Sequence, residues 1–405
     1  MSYAFSLIGP EVTQNPYPMY AELREKAPVC QVEPGGFWAV SRYDDVVYVM
    51  KHPELFSSDT FAARQSTQDE RLQREPLVVS DVNILMSDPP VHTRIRQLVS
   101  GAFTPRAIAR LEQRVRAITT EYIDRILAKD TFDMMDDLAV PLPVTVISEM
   151  LGVDPSLRAD FKRWSDDSVS TGMGRLPDEE VERILRSRRE MRAYFHEMIA
   201  ERKRQPREDL ISDLIRGEVE YGQLSPDDVL GMVVLLLVAG NETTTNLIGN
   251  GTLALLEHPD ALRRLREEPA LIPGFIEEVL RYEGPAQILM RRATQDVTLA
   301  GVTLPKGAIV MPIIASANRD PAQFSDPDRF DITREQRGNV GFGFGIHFCV
   351  GAPLSRLEGK IAFEEIFRRL PPFSREPGPV VWRTMFSLRG LQSLPLRFDR
   401  SARAA

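Results

Sequence analysis

The sequence predicts a mainly α-helical protein with small β-sheets at its edges. Apolar residues recur at helical spacing over residues 91–129 and 143–150, and a long, highly charged helix is predicted over 178–204. Alternating β-type patterns are confined to short stretches near the two ends of the chain. Because neither an internal repeat nor a Gly/Ser-rich linker divides the sequence, we expect a single domain that spans residues 1–405.

The composition is that of a globular protein with a large core. The chain has 405 residues, of which 43% are apolar and 27% are charged, and 58 acidic against 50 basic residues give a net charge of −8. An acidic chain lacks the basic surface that nucleic acid requires, so we expect no nucleic-acid partner. A chain of this length can bury a core large enough to enclose a ligand.

Three features predict a cytoplasmic protein without a membrane anchor. The first residues carry no basic segment followed by an apolar stretch of signal-peptide length. The longest apolar run, residues 229–240, has twelve residues, whereas a membrane span needs about 20. The two cysteines, Cys30 and Cys349, lie far apart and provide no disulfide framework, which is typical of a reducing compartment.

The first elements in chain order are a hairpin and two candidate lids. Residues 29–32 and 37–40 are β-type stretches around Pro34-Gly35-Gly36, which predicts a β-hairpin. Residues 59–80 are polar at first and carry no clear helical period, and the helical pattern breaks again at 168–178. Long irregular segments are uncommon unless they are functional, so we predict that both are mobile lid loops.

A buried helix with a polar centre is predicted after Ser225. Ser225-Pro226-Asp227-Asp228 has the pattern of a helix start, and the apolar run that follows continues into Ala239-Gly240-Asn241-Glu242 and three threonines. Glycine within a helix costs about 1 kcal/mol, and threonine hydroxyls can bond to carbonyls one turn back and bend the helix. The pattern favours a bend with room for a small ligand.

The segment over residues 342–353 is the most informative. Its glycines allow the backbone to approach a flat ligand, and Cys349 comes just before a predicted helix. Free N–H groups at a helix start stabilise a thiolate, which can then bind a metal at neutral pH. This arrangement suits ligation of haem iron by sulfur. Cys30 lacks such surroundings and is expected to be a small core residue.

The same segment resembles the haem-binding signature of the cytochrome P450 family. Phe342, Gly345, Cys349 and Gly351 fill its pattern Phe-x-x-Gly-x-x-x-Cys-x-Gly, with His347 in between. The resemblance implies the family's mainly α, triangular-prism fold, and haem b held by Cys349 as the axial ligand of the iron. Phe342, Gly345 and Gly351 are then expected beside the cofactor.

Other segments resemble further parts of the family in the expected order. Glu278 and Arg281 stand at i,i+3, and Pro327-Asp328-Arg329-Phe330 follows. The resemblance implies that Glu278, Arg281 and Arg329 form a buried charge network with a structural role. The same Glu-x-x-Arg spacing recurs at Glu180, Glu201 and Glu365, where we expect solvated helix faces.

The resemblance also assigns the oxygen site and the cofactor contacts. Ala239-Gly240-Asn241-Glu242-Thr243 is similar to the family's acid–alcohol segment, which implies Thr243 as the hydroxyl that bonds to bound O2 and Glu242 as the proton relay. Ala239 and Gly240 are expected against the haem. The expected partners of the haem propionates are His92, Arg96, Arg291 and His347.

The implied reaction inserts one oxygen atom of O2 into a hydrophobic small molecule, such as a fatty acid, terpenoid, steroid or macrolide-like compound. The expected pocket residues are Leu235, Val238, Ile288, Leu289 and Phe386. No nucleotide-binding loop of a reductase is evident, so an external ferredoxin with its reductase is expected to supply the electrons. Arg94, Arg356 and Lys360 are expected to form its basic docking patch.

Three other readings of the sequence remain. A peroxide-driven peroxygenase would use the same haem, but it has no need of an intact Glu242-Thr243 pair. A haem-binding sensor or carrier likewise needs no oxygen-activating pair. A purely structural protein would make Cys349 an inert core residue, which the glycine spacing disfavours.

Overall fold

The computed structural model describes residues 5–33, 35–60, 69–75, 83–169, 176–221, 225–335, 337–385 and 387–399. Its contacts divide the chain into two compact units. The first unit comprises residues 1–57, 111–142 and 243–405, and the second unit comprises residues 58–110 and 143–242. The expectation of a single domain stays a prediction.

Helices dominate both units. In chain order they are α1 (Pro10–Gln14), α2 (Tyr17–Lys26), α3 (Tyr43–Lys51), α4 (Glu70–Arg74), α5 (Val91–Ser100), α6 (Pro105–Ala109), α7 (Glu112–Leu127), α8 (Pro141–Met150), α9 (Arg158–Val169), α10 (Asp178–Arg204), α11 (Leu210–Tyr221), α12 (Pro226–Glu257), α13 (Pro259–Glu267), α14 (Ile272–Tyr282), α15 (Ile314–Ala317) and α16 (Ala352–Arg369).

The strands are short and belong to the first unit. They are β1 (Val29–Val32), β2 (Phe37–Val40), β3 (Phe56–Ser57), β4 (Thr131–Asp133), β5 (Arg291–Ala293), β6 (Val297–Leu299), β7 (Val302–Leu304), β8 (Ile309–Pro312), β9 (Phe373–Arg375) and β10 (Pro395–Phe398). They form a five-stranded sheet in the order β1-β2-β8-β5-β3, a three-stranded sheet β4-β10-β9 and the hairpin β6-β7.

The larger sheet is covered by apolar side chains on both faces. Val40 and Val310 belong to one buried cluster, whereas their neighbours Ala39 and Met311 belong to another. Since successive side chains of a strand point to opposite faces, this alternation buries both sides of the sheet. The predicted hairpin is confirmed, because β1 and β2 pair antiparallel with Val32 opposite Phe37.

The helical stretch predicted over residues 91–129 is divided into α5, α6 and α7. Thr104 interrupts it with an extended backbone, and its hydroxyl accepts a hydrogen bond from the N–H of Ala107 (3.3 Å) as an N-cap. Pro105 then occupies the first turn of α6, where the missing N–H of proline is tolerated. The charged helix predicted over 178–204 has those bounds in the structure.

The two predicted lid loops are only partly described. Residues 61–68 and 76–82 of the first stretch, and 170–175 of the second, lie outside the described residues. Between the first two gaps lies the short helix α4, and α10 begins at Asp178 after the third. Their mobility stays a prediction.

The helix α12 is long and apolar enough to cross a membrane by length and composition. In its most apolar window, however, 72% of the residues are buried inside the protein, which is the environment of a core helix.

Candidate active site

The segment before α16 is a tightly closed loop around Cys349. The Cys349 N–H donates to the carbonyl of Phe342 (2.9 Å), and the Gly343 N–H donates to the carbonyl of Val340 (2.8 Å). The helix begins three residues after the cysteine, with Gly351 as its N-cap. The half-buried Cys349 thiol therefore lies at the positive end of an 18-residue helix, which favours a thiolate.

Glycine is required within this loop for two reasons. Gly343 and Gly345 have φ angles of 74° and 72°, in the left-handed region that glycine adopts most readily. At Gly345 a Cβ atom would also lie 2.6 Å from the backbone oxygen of Met50. The loop therefore packs directly on the end of α3. A Cβ at Gly351 would meet the Cys349 sulfur at an ordinary 3.9 Å.

The helix α12 is buried over most of residues 229–250, but one of its faces is accessible. Between residues 229 and 250, the residues that are not buried are Leu235, Val238, Ala239, Gly240 and Thr243. Their spacing of three and four residues places them on one side of the helix. We call these five residues the accessible stripe. It contains two predicted pocket residues, two predicted haem-contact residues and the predicted catalytic alcohol. Glu242, next to it, is buried.

The helix α12 continues through Gly240 and the threonines, and the bend expected there stays a prediction. Two threonine hydroxyls bond to other segments: Thr244 donates to the Ser355 hydroxyl (3.1 Å), and Thr245 donates to the carbonyl of Ala139 (3.0 Å). In unit 2, the Asn241 amide donates to the Ser165 hydroxyl (2.9 Å). These bonds fix the helix on both sides of Glu242.

A buried carboxyl that was not predicted lies beside Thr244. Glu358 on α16 is 1% exposed, and burial raises its pKa to about 8, although a hydrogen bond with Thr244 acts in the opposite direction. Glu358 is therefore protonated at neutral pH. Its position on the apolar face of α16, four residues after Leu354 and three before Ile361, was the sequence signal of a buried acid.

The charge network contains a different arginine from the one expected. Arg281 binds Glu278 through two hydrogen bonds of 2.8 Å, and both side chains are fully buried. The second guanidinium on Glu278 belongs to Arg334, whose Nε lies 3.5 Å from the carboxylate. Arg329 contributes only its carbonyl, which accepts from Arg281 (3.1 Å).

The expectation for Arg329 was wrong because its side chain lies at the protein surface. Its side chain is 68% exposed and pairs with Asp331 at 3.4 Å, so it points into solvent. Arg334 is 11% exposed, and it also donates to the carbonyls of Ser325 (2.6 Å) and Asp326 (3.0 Å). The loop that follows Phe330 thus turns back, and it brings the later arginine to Glu278.

The predicted propionate partners are basic side chains, each of them buried or half-buried. In the first unit, Arg291 on β5 is 5% exposed and donates to the carbonyl of Met290 (2.8 Å), and His347 ends the short 3-10 turn Gly345–His347. In the second unit, His92 is buried on α5 and Arg96 follows one turn later. Their roles toward a cofactor stay predictions.

The predicted pocket residues of the first unit divide into three cases. Ile288 is 3% exposed and packs in the cluster of Val32 and Met311, and its role in the pocket stays a prediction. Leu289 is partly buried against the other sheet cluster. Phe386 lies outside the described residues.

Two of the three predicted docking cations are neutralised locally. Arg356 binds both oxygens of Glu277 (2.5 and 3.1 Å), and Lys360 lies 3.6 Å from Glu364. Arg94 belongs to the second unit, on α5. The Lys360–Glu364 pair has the i,i+4 spacing that a helix brings together, whereas the Arg356–Glu277 pair joins α16 to α14 and has no signal in the local sequence.

The residues present fit a haem. A half-buried cysteine precedes a helix start, and the accessible stripe of α12 carries small or apolar side chains that a flat ligand can approach. The first unit contains the buried Arg291, a side chain of the kind that propionates bind. Within the described ranges, no group of three His, Cys, Asp or Glu side chains is arranged to hold another metal ion.

Comparison with known proteins extends over nearly the whole chain. The cytochrome P450 family model matches residues 14–380. Cytochrome P450 monooxygenase PikC from Streptomyces venezuelae is 42% identical, over 98% of this chain and 94% of that protein. The 6-deoxyerythronolide B hydroxylase from Saccharopolyspora erythraea is 39% identical, over 95% of this chain and 96% of its own.

The fold agrees with that of a solved relative. The structure of CYP109Q5 from Chondromyces apiculatus superimposes with a TM-score of 0.88 at 44% identity, covering 97% of each chain. Mainly helical architecture with small sheets, the glycine loop around Cys349 and these matches lead to one conclusion. The chain belongs to the cytochrome P450 family, a family of haem-containing enzymes, and it is a monooxygenase.

Proposed function

We propose that this chain hydroxylates or epoxidises a hydrophobic small molecule with O2 and two electrons from an external ferredoxin-type protein. In a hydroxylation, one oxygen atom enters a C–H bond, and the other leaves as water with two protons and two electrons. The observation that carries the proposal is the accessible stripe of α12, which ends at Thr243 next to the buried Glu242.

Different residues of the chain are proposed to hold different parts of the cofactor. Cys349 is the proposed ligand of the haem iron, and Arg291, His347, His92 and Arg96 are the proposed partners of its propionates. When bound, haem supplies an iron at which O2 can be reduced and cleaved. Phe342, Gly345 and Gly351 are proposed to shape the cysteine side of the site, and Ala239 and Gly240 keep the accessible stripe of α12 free of bulky side chains.

Thr243 and Glu242 are the proposed proton-handling pair. The Thr243 hydroxyl lies on the accessible stripe, where it can donate a hydrogen bond to a ligand. The adjacent Glu242 carboxyl is 3% exposed, so bulk water reaches it poorly and any proton it passes on arrives by a defined path. Cleavage of O2 to water consumes two protons, which such a pair can deliver in turn.

The substrate surface is apolar where it is described. Leu235 and Val238 on the stripe and the partly buried Leu289 offer aliphatic contacts without a charged group among them. Binding to such a surface is driven by removal of apolar area from water, which discriminates weakly by shape. A relative is named for hydroxylation of 6-deoxyerythronolide B. We propose a substrate of similar hydrophobic character.

The electron donor is proposed to dock on the outer side of the cysteine loop. Phe344 and Phe348 are each 38% exposed, and both precede Cys349 in the same loop. The Lys51 ammonium lies 5.0 Å from the centre of the Phe344 ring, and it forms no ion pair with a described residue. An apolar centre with a free cation at its rim suits an acidic protein partner.

The experiment compares the wild type with Thr243→Ala after purification with haem. We expect the wild type to show the red-shifted Soret band of sulfur-ligated haem when reduced with carbon monoxide, and to oxidise hydrophobic substrates with ferredoxin and reductase. Thr243→Ala is expected to retain that band while O2 consumption is diverted to hydrogen peroxide. Ser168→Ala, at a serine whose hydroxyl bonds to the Trp164 carbonyl (2.5 Å), serves as the control.

Three outcomes would contradict the proposal. A protein without the shifted band would refute the cysteine ligand. Equal product yield in Thr243→Ala and wild type would refute the role of the alcohol. Faster product formation with hydrogen peroxide alone than with the ferredoxin system would favour a peroxygenase instead.

A further inference from the structure

The backbone of Phe342 is bonded to the cysteine of the loop. The Cys349 N–H donates to the Phe342 carbonyl at 2.9 Å, and the centroid of the half-buried Phe342 ring lies 6.3 Å from that of Phe348. Because this hydrogen bond closes the loop, a shift of Phe342 moves the peptide group that carries the Cys349 side chain. The contacts of the Phe342 ring therefore bear on the position of the sulfur.

An arginine of α16 covers the Phe342 ring. The guanidinium carbon of Arg356 lies 4.5 Å from the ring centroid, within the range of a cation–π contact. Arg356 lies near the start of α16, and its side chain is 41% exposed. A positive charge is thus placed against the residue whose carbonyl bonds to Cys349.

A carboxylate of α14 holds this arginine. The two Glu277 oxygens accept from Nε and Nη2 of Arg356 at 2.5 and 3.1 Å, and the Glu277 side chain is 21% exposed. Two parallel bonds of this kind fix the plane of a guanidinium. Glu277 therefore determines how Arg356 is oriented and how far its charge is neutralised.

Glu277 is also connected with the cysteine loop through its backbone. Its carbonyl accepts from the side-chain amide of Asn339 (2.9 Å), and the side-chain oxygen of Asn339 accepts from the Gly341 N–H (2.8 Å). Gly341 directly precedes Phe342. The residue Glu277 thus restrains Phe342 twice, through Asn339 at its backbone and through Arg356 at its ring.

We propose that Arg356 and Glu277 are positioning residues that set the reduction equilibrium of a haem bound by Cys349. The proposal rests on the proposed function only in that Cys349 is taken as the iron ligand. Uptake of one electron takes the iron from ferric to ferrous and makes the site more negative by one charge. The Arg356 cation favours this uptake, and the Glu277 carboxylate opposes it.

Two variants that break the same ion pair should therefore have opposite effects. Arg356→Gln removes the cation, so we expect the equilibrium constant for reduction to fall about three- to tenfold. Glu277→Gln leaves the cation without its carboxylate, so the constant should rise by a similar factor. Arg356→Lys keeps the charge but loses the planar guanidinium, so its value should lie between those of Arg356→Gln and the wild type.

The measurement is a redox titration of the haem-containing protein without substrate, with dithionite as the reductant, at about 0.05 M NaCl. The matched controls are Arg368→Gln and Glu364→Gln, which remove an ion-paired cation and an ion-paired acid nearer the other end of α16. Both controls should keep the wild-type value. Raising NaCl to about 0.5 M should bring Arg356→Gln and the wild type closer together, because Arg356 is partly exposed.

Thermal unfolding supplies a second readout that does not depend on activity. Arg356→Gln and Glu277→Gln each remove one partner of the same pair, so both should lower the melting temperature while their reduction equilibria move apart. The reduced carbon monoxide complex should keep its red-shifted Soret band in both variants, because neither residue is the iron ligand.

Two results would overturn the proposal. One is a shift of the reduction equilibrium in the same direction in Arg356→Gln and Glu277→Gln. The other is a reduction equilibrium in both variants that equals that of the controls. Failure of the proposed function has a different signature: a wild type without the shifted Soret band lacks the cysteine ligand, whereas a chain that shows the band but oxidises no substrate still reports on the ion pair.

Discussion

At the scale of single residues, burial decides the charge of the side chains around the site. Glu358 on α16 is buried and shares a hydrogen bond with the Thr244 hydroxyl on α12. Its carboxyl therefore keeps its proton at a pH well above that at which a solvated glutamate ionises. Glu278 is buried as deeply, but its bidentate bond with Arg281 provides a charged partner. The two side chains are chemically identical, so the difference between them comes from their surroundings.

Glu358 makes the stability of the fold depend on pH. Between its ordinary pKa of 4.5 and its native pKa of about 8, the folded chain holds a proton that the unfolded chain has released. The free energy of unfolding contributed by this group therefore falls as pH rises through that window, by up to about 1.4 kcal/mol per pH unit. Glu358→Gln should remove this slope and be more stable than wild type above pH 8.

Urea unfolding at several pH values between 5 and 9 checks this expectation, with Glu267→Gln on the exposed face of α13 as the control. A slope that is unchanged in Glu358→Gln would show that the carboxyl is ionised in the native protein.

The arginines around Glu278 permit a direct comparison. Arg334→Ala removes a nearly buried guanidinium that bonds to several carbonyls and a buried carboxylate, so we expect a loss of about 3 kcal/mol or more in the free energy of unfolding. Arg329→Ala removes an exposed side chain and should cost less than about 1 kcal/mol. Chemical denaturation of the two variants measures both values, and the reverse order of stability would restore the sequence-based assignment.

The expectation for Arg329 shows which contacts of a single residue cannot be predicted from the sequence. The motif identified the segment that reaches Glu278, and Arg281 was placed correctly because one helix carries both residues at i,i+3. The position of Arg334 depends on how an aperiodic loop folds back after Phe330, and no local pattern encodes that path.

At the scale of elements, periodicity made the helices predictable. The bounds of α10 agree with the predicted bounds. The five members of the accessible stripe were expected near the site from family resemblance, and the helix period explains why they share one face. The bend expected in α12 stays a prediction, and the partners of Thr244 and Thr245 lie in neighbouring segments instead of one turn back in the helix. Those partners come from distant parts of the chain.

The cysteine loop yields a prediction about glycine. In Gly345→Ala the new methyl group would both strain a positive φ and lie 2.6 Å from the Met50 oxygen, whereas Gly307→Ala has the strained φ of 84° in open space. We expect Gly345→Ala to lower the melting temperature more than Gly307→Ala and to reduce the haem-to-protein ratio measured by absorbance. Equal melting temperatures and full haem content in both variants would argue against close packing of the loop on α3.

At the scale of the whole molecule, surface charge bears on electron supply. The chain carries a net charge of −8, so an acidic donor is repelled overall and must find a local cation. Arg356 and Lys360 are already paired with acids, which leaves Lys51 beside the exposed Phe344 as the first unit's candidate.

Lys51→Glu is expected to slow reduction by ferredoxin several-fold at low ionic strength, and the difference from wild type should shrink as salt is added. Lys26→Glu on α2, whose ammonium pairs with Glu22, is the control. Stopped-flow reduction under carbon monoxide gives the rate constants, and identical rates for Lys51→Glu and wild type would exclude this docking site.

The accessible stripe of α12 has a consequence for how this enzyme diversifies. Its side chains contribute less to the hydrophobic core than those on the buried remainder of the helix, so exchanging Leu235 or Val238 for another aliphatic residue alters the cavity wall at little expense in folding free energy. If the stripe is the substrate surface proposed above, new substrate preferences are accessible by single steps, while the other faces of the same helix hold the scaffold constant.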